Sequence, residues 1–139
     1  MDRQLIEEKL ELLRRCVKRI EDKRPSSAEV LKADLDLQDI ITANLTRAVQ
    51  VCVDIAAHII AEREVEAPDS MGKAFETLVR LKVIDSTLGE RMMKAVGFRN
   101  IAIHNYQVID WQIVHAICHK ELDDFRKFAA AVSALLSNP

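Results

Sequence analysis

The chain has 139 residues, enough for one domain whose core needs neither disulfides nor metals, and 1–139 reads as a single domain. Hydrophobic residues make up 49%, which excludes a disordered chain, and three Gly and three Pro are too few for a turn-rich β fold. The formal net charge of −2 excludes nucleic-acid binding through a global positive field, so any such contact must come from a local basic site.

In chain order, Ile6, Leu10, Leu13, Val17 and Ile20 recur at helical spacing and predict a helix over residues 3–22. Pro25 ends it. Ser26 and Glu29 have capping-box spacing for a short helix that stops near Lys32. The stripe Leu37, Ile41, Leu45, Ala48, Cys52, Ile55 and Ile59 predicts a long helix over residues 35–64, widened by Ile40, Val51 and Ile60 so that it packs on more than one neighbour. A loop follows, and Pro68 with Asp69 or Ser70 introduces a helix over residues 71–81. After a turn at residues 84–86, Thr87 and Glu90 are spaced as a second capping box, and Leu88, Met92, Met93 and Val96 carry a helix toward Ile103. Asp110 reads as the N-cap of one last helix over residues 111–136, with Val114, Cys118, Leu122, Phe125, Ala129, Val132 and Leu136 inward. No strand-like alternation or repeat interrupts this, so the fold class is all-α, a four- to five-helix bundle.

Cys16, Cys52 and Cys118 are odd in number and far apart, which reads as reduced, buried thiols of a cytoplasmic protein. The charged start MDRQLIEEKLELLRR has no apolar centre of a signal peptide, and no apolar run approaches the ~18 residues of a membrane span, so no membrane partner is expected.

The segment Gly97-Phe98-Arg99-Asn100-Ile101-Ala102-Ile103-His104-Asn105-Tyr106 concentrates polar chemistry between ordinary amphipathic stretches. Arg carries a permanent charge matched to phosphate oxygens, and His moves protons near neutral pH. Asn can orient either a phosphate or the imidazole. No Asp/Glu cluster has the look of a magnesium site. Phosphodiester cleavage without a metal is easiest with the substrate's own 2′-hydroxyl as nucleophile, which implies RNA and not DNA. At about 100° per residue, Arg99 and His104 sit ~140° apart on an ideal helix. Using both together requires a helix end before His104 or a second protomer's copy, as a two-fold dimer would supply. The plainer alternative is a helix C-terminus in which His104 and Asn105 satisfy the last carbonyls and Tyr106 packs on the bundle.

GFRNIAIHNY resembles the signature of the HEPN superfamily, and more closely its HepT branch, with the pattern R-x-x-x-x-H-x-Y at Arg99, His104 and Tyr106 and a polar Asn100 after the Arg. The flanking Met93-Lys-Ala-Val-Gly-Phe and Val-Ile-Asp-Trp, and Asp54-Ile-Ala-Ala-His-Ile-Ile-Ala-Glu in the second long helix, are similar to the same branch, and the resemblance runs over essentially the whole chain. It implies a helical bundle that dimerises with two motifs facing across a cleft. It also implies a metal-independent ribonuclease toxin of a toxin–antitoxin pair, catalytic at Arg99 and His104 with Asn100 in support. The implied partner is an MntA-like nucleotidyltransferase antitoxin that transfers AMP to Tyr106. That partner would use ATP and magnesium; this chain would need no cofactor. A second reading is a non-catalytic HEPN module that partners a nucleotidyltransferase.

Other residues are weaker candidates. His115 and His119 are four apart, near Cys118, as in a zinc-binding pair, but third and fourth ligands are not evident, so a surface or interface role is favoured. His58 reads as a hydrogen-bonded core or interface residue. Lys18-Arg19 and Lys23-Arg24 read as solvated faces or a partner surface. Asp34, Asp36 and Asp39 favour the positive end of the second long helix, with a contact to the antitoxin or near the cleft as the alternative. Trp111 anchors the last helix near Tyr106.

Overall fold

The computed structural model describes residues 2–137. Among them are seven α-helices, one 3₁₀ turn and no strand, as the all-α expectation requires. Helix α1 (Arg3–Lys23) starts where the Asp2 carboxylate accepts the Leu5 N–H, and its stripe of Ile6, Leu13, Val17 and Ile20 is buried. Helix α2 (Ala28–Ala33) is capped by Ser27, not Ser26. The Ser27 backbone is extended and its hydroxyl reaches Val30 N–H, so Glu29 falls inside the first turn and not at the box position.

Helix α3 (Leu35–Ala61) is capped by Asp34 and ends three residues earlier than its pattern suggested. It is the centre of the fold, touching α1, α2, α4 (Met71–Arg80), α5 (Ser86–His104) and α7 (Leu122–Ser137). That many neighbours explains its apolar composition. By length and hydropathy α3 would qualify to cross a membrane, yet 50% of its most apolar window is buried inside the protein. His58 is exposed on it, which corrects the reading of this residue as part of the core.

Ser70 caps α4 and Asp85 caps α5 through Leu88 N–H at 2.8 Å, so Thr87 is not a capping residue. The turn between them is tight. Lys82 adopts φ 62, Val83 N–H donates to Leu78 O, and Lys82 N–H donates to Val79 O. This is a Schellman closure with Lys where glycine is usual. Gly89 sits where a Cβ would collide with the Val79 side chain, so the α4–α5 hairpin closes only on a bare backbone.

The expected single last helix is two: α6 (Trp111–Lys120) and α7, broken at Glu121. The halves serve different neighbours, α6 against α2 and α7 against α1 and α5. The Arg24 guanidinium donates to Cys118 O, and the His119 ring meets Pro25 O at 2.9 Å, both near the end of α6. Asp123 and Asp124 open α7 at its positive end. Asp124 is also bonded to Arg91 of α5 at 2.8 Å. Phe75 of α4 and Phe128 of α7, both fully buried, meet edge to face with centroids 5.8 Å apart.

Candidate active site

The motif occupies the end of α5 and the turn after it. The helix continues through His104, so it does not end early enough to swing the imidazole round to Arg99. Asn105 is the C-cap, its N–H bonded to Ile101 O at 2.8 Å, and Tyr106–Val108 form the 3₁₀ turn. Arg99 and His104 therefore occupy different faces of one helix.

Arg99 is half-buried against α3. One terminal nitrogen donates to Gln50 Oε1 and the other to Asn100 Oδ1, both at 3.1 Å. Its Nε is buried without a partner. Gln50 is itself held: its Nε2 donates to Asp54 Oδ1 at 3.0 Å, and Asp54 Oδ2 lies 3.6 Å from Lys9 Nζ on α1. A chain of polar contacts thus runs from α1 through α3 to the guanidinium. Asn100 is exposed and four residues before His104, so it stands on the imidazole's side of α5 while touching Arg99. Asn100 thus stands between the Arg99 guanidinium, to which it is bonded, and the helix face that carries His104.

Tyr106 is anchored separately. Its hydroxyl donates to Asp39 Oδ1 on α3 at 3.0 Å, and its ring meets Trp111 edge to face at 5.8 Å. Burial, and then the Asp39 carboxylate, push the phenol above its ordinary value. Pairing residue 99 with 50 and 106 with 39 makes α5 antiparallel to α3. The two anchors are ~16 Å apart along α3 at 1.5 Å per residue. Asp39 thus has a specific partner beyond the helix-dipole role read from sequence. The sequence offered no local signal for Gln50 or Asp39, which meet the motif across separations of 49 and 67 residues.

Met93, Gly97, Asn100, Ile101 and His104 form one exposed stripe on α5. A Cβ on Gly97 would meet nothing within 4 Å. Beside this stripe is a groove of about 450 Å³, lined by Phe98, Ile101, Val108 and Ile113. Val108 and Ile113 are both 57% exposed.

The remaining candidates do not join this site. The rings of His115 and His119 lie with centroids 4.4 Å apart, tilted by 43°, but the Pro25 carbonyl, a pure acceptor, makes Nε2 of His119 a donor, and Nε2 of His115 is buried without a partner. Among the described residues no group of three or more His, Cys, Asp or Glu is placed to hold a metal ion.

An all-α fold with an intact Arg-Asn…His-x-Tyr segment closing one helix defines a HEPN protein. The family model described as HepT-like, ribonuclease HepT-like, matches residues 6–132, and the chain belongs to that family. It is 34% identical over 130 residues to the mRNA nuclease HepT of Shewanella oneidensis, covering 94% of this chain and 97% of that protein. Its fold matches that of the tri-AMPylated Shewanella oneidensis HEPN toxin in complex with MNT antitoxin, with TM-score 0.88, 34% identity and coverage of 96% and 99%. It also matches a toxin–antitoxin crystal structure with AMP-PNP, with TM-score 0.88, 33% identity and coverage of 94% and 98%.

Proposed function

We propose that this chain is a cytoplasmic single-domain endoribonuclease, the toxin of a toxin–antitoxin pair, with Arg99 and His104 as catalytic residues and Asn100 in support. The observation that carries this reading is the intact motif at the end of α5, where Asn100 joins the guanidinium to the face bearing His104, in a chain of the ribonuclease HepT-like family. His104 takes the proton of the RNA 2′-hydroxyl as that oxygen attacks the phosphorus. Arg99 stabilises the charge that develops on the phosphoryl oxygens. The bond from phosphorus to the 5′-oxygen breaks, that oxygen leaves with the electron pair and takes a proton from solvent, and a 2′,3′-cyclic phosphate remains. Metal-independent cleavage is part of this reading because Arg and His suffice for these steps.

The active form is a homodimer. A mid-helix glycine costs about 1 kcal/mol relative to alanine, and nothing inside this chain requires Gly97 to lack a side chain. Exposed Met93 and Ile101 flank it, and the apolar groove continues the same surface. A second copy of α5 crossing at Gly97 accounts for all three features and brings two His104 side chains toward one cleft. Gly97→Leu is expected to leave the chain folded and shift it from dimer to monomer in analytical ultracentrifugation.

The partner is a nucleotidyltransferase antitoxin of the MntA kind, which uses ATP and magnesium to place AMP on Tyr106. The adenylyl phosphate then competes with RNA for the same cations and blocks the cleft. The deciding experiment is RNA cleavage by the purified chain, with and without EDTA. His104→Ala is expected to lower the rate by about 10²–10⁴-fold, with cleavage by the parent surviving EDTA. A His104→Ala variant that cleaves RNA and arrests growth like the parent would favour the non-catalytic partner module instead.

A further inference from the structure

Asp39 stands within hydrogen-bond distance of the one tyrosine in the chain, on a surface open to a partner. Its carboxylate accepts the Tyr106 hydroxyl at 3.0 Å. Asp39 is exposed, and Tyr106 is 38% exposed. One helical turn along, the buried Thr42 hydroxyl faces the phenolic oxygen, and a hydrogen bond from it favours the deprotonated form.

From this geometry we infer that Asp39 is the general base for nucleotidyl transfer to Tyr106, so that this chain supplies part of the machinery of its own modification. The inference rests on the reading of Tyr106 as the modified residue. The Tyr106 oxygen attacks the α-phosphorus of a nucleoside triphosphate carried by the partner enzyme. The O–P bond forms, the bond from the α-phosphorus to the bridging oxygen breaks, and pyrophosphate leaves with that electron pair. The phenolic proton passes to Asp39 Oδ1 and then to solvent. Thr42 donates to the phenolic oxygen while it carries negative charge.

The alternative nucleophile, a phenolate formed beforehand, is disfavoured by the same contact. Burial and the adjacent carboxylate keep the phenol protonated at neutral pH. The proton therefore has to leave during the attack, and Asp39 is the group in place to take it.

The test is AMP incorporation into the full chain by the partner nucleotidyltransferase with magnesium and ATP, followed by intact mass and peptide mapping. Asp39→Asn keeps an acceptor oxygen but cannot take the proton. It is expected to lower kcat by about 10²-fold or more, with KM for this chain little changed. Asp39→Glu should recover part of the rate, formate should rescue Asp39→Ala, and Asp36→Asn, one turn away and exposed, should behave as the parent. Transfer by Asp39→Asn at the parental kcat, a loss confined to KM, or no rescue by formate would each overturn the role of base while leaving Tyr106 as the target. A label mapped to any residue other than Tyr106 would overturn the reading of Tyr106 itself, and this inference with it.

Discussion

The guanidinium of Arg99 is held by two acceptors of different kinds. Asn100 comes from its own helix, and Gln50 from the opposite one. The first was legible in the sequence because it is adjacent; the second was not, because a glutamine on an apolar helix has no spacing that points at a residue 49 positions away. The consequence is testable by unfolding. Gln50→Leu strands a terminal N–H of a guanidinium whose Nε is already unpaired. The expected cost is about 1–3 kcal/mol, read as a lower denaturant midpoint with an unchanged m-value. Tyr106 permits a functional test at the same scale. Tyr106→Phe is expected to take up no AMP from the partner, so partner and ATP together no longer lower its RNA cleavage, whereas they silence the parent. Cleavage of RNA by fully modified parent protein at the unmodified rate would sink the proposed switch.

Helix existence was legible nearly throughout, since most residues of the apolar stripes that predict helices lie in or against the core, Met93 of α5 being an exposed exception. Helix ends were less so. Ser26 and Thr87 satisfied a spacing rule, but the residues with extended backbone and a reachable oxygen are Ser27 and Asp85. The break at Glu121 was hidden because the inward stripe from Val114 to Leu136 keeps its period across it. What interrupts the helix is the difference in packing partners on the two sides, a tertiary effect that no local pattern encodes. The α4–α5 turn was obscured because Lys82, not glycine, holds the left-handed position. Lys82→Gly should therefore raise stability by up to about 1 kcal/mol. Gly89→Ala should lower it by about 1–3 kcal/mol through the clash with Val79. Thermal melts of the two variants, with opposite signs from neighbouring positions, check both statements.

At the scale of the whole molecule, all three cysteines are free and buried. Burial raises each thiol, Cys118 to about 12 and Cys52 well above 9.0. An unfolded chain releases these protons at lower pH than the folded one does. The folded state is therefore favoured fully below about pH 9 and loses stability as pH rises toward the folded values. The slope approaches about 1.4 kcal/mol per pH unit for each thiol. Urea midpoints measured between pH 8 and pH 11 should fall, and Cys118→Ala should flatten the fall. A parental midpoint that does not move over this range would refute it. The central helix α3 carries a different consequence. Arg99 and Tyr106 are both indexed to it, at Gln50 and Asp39, so the segment between these anchors works as a ruler with fixed graduations. Deleting one residue from it would rotate one anchor relative to the other by about 100°, detaching either Arg99 or Tyr106 from α3. The exposed side chains along this stretch, Ala43 and Arg47, can be exchanged, but its number of residues cannot.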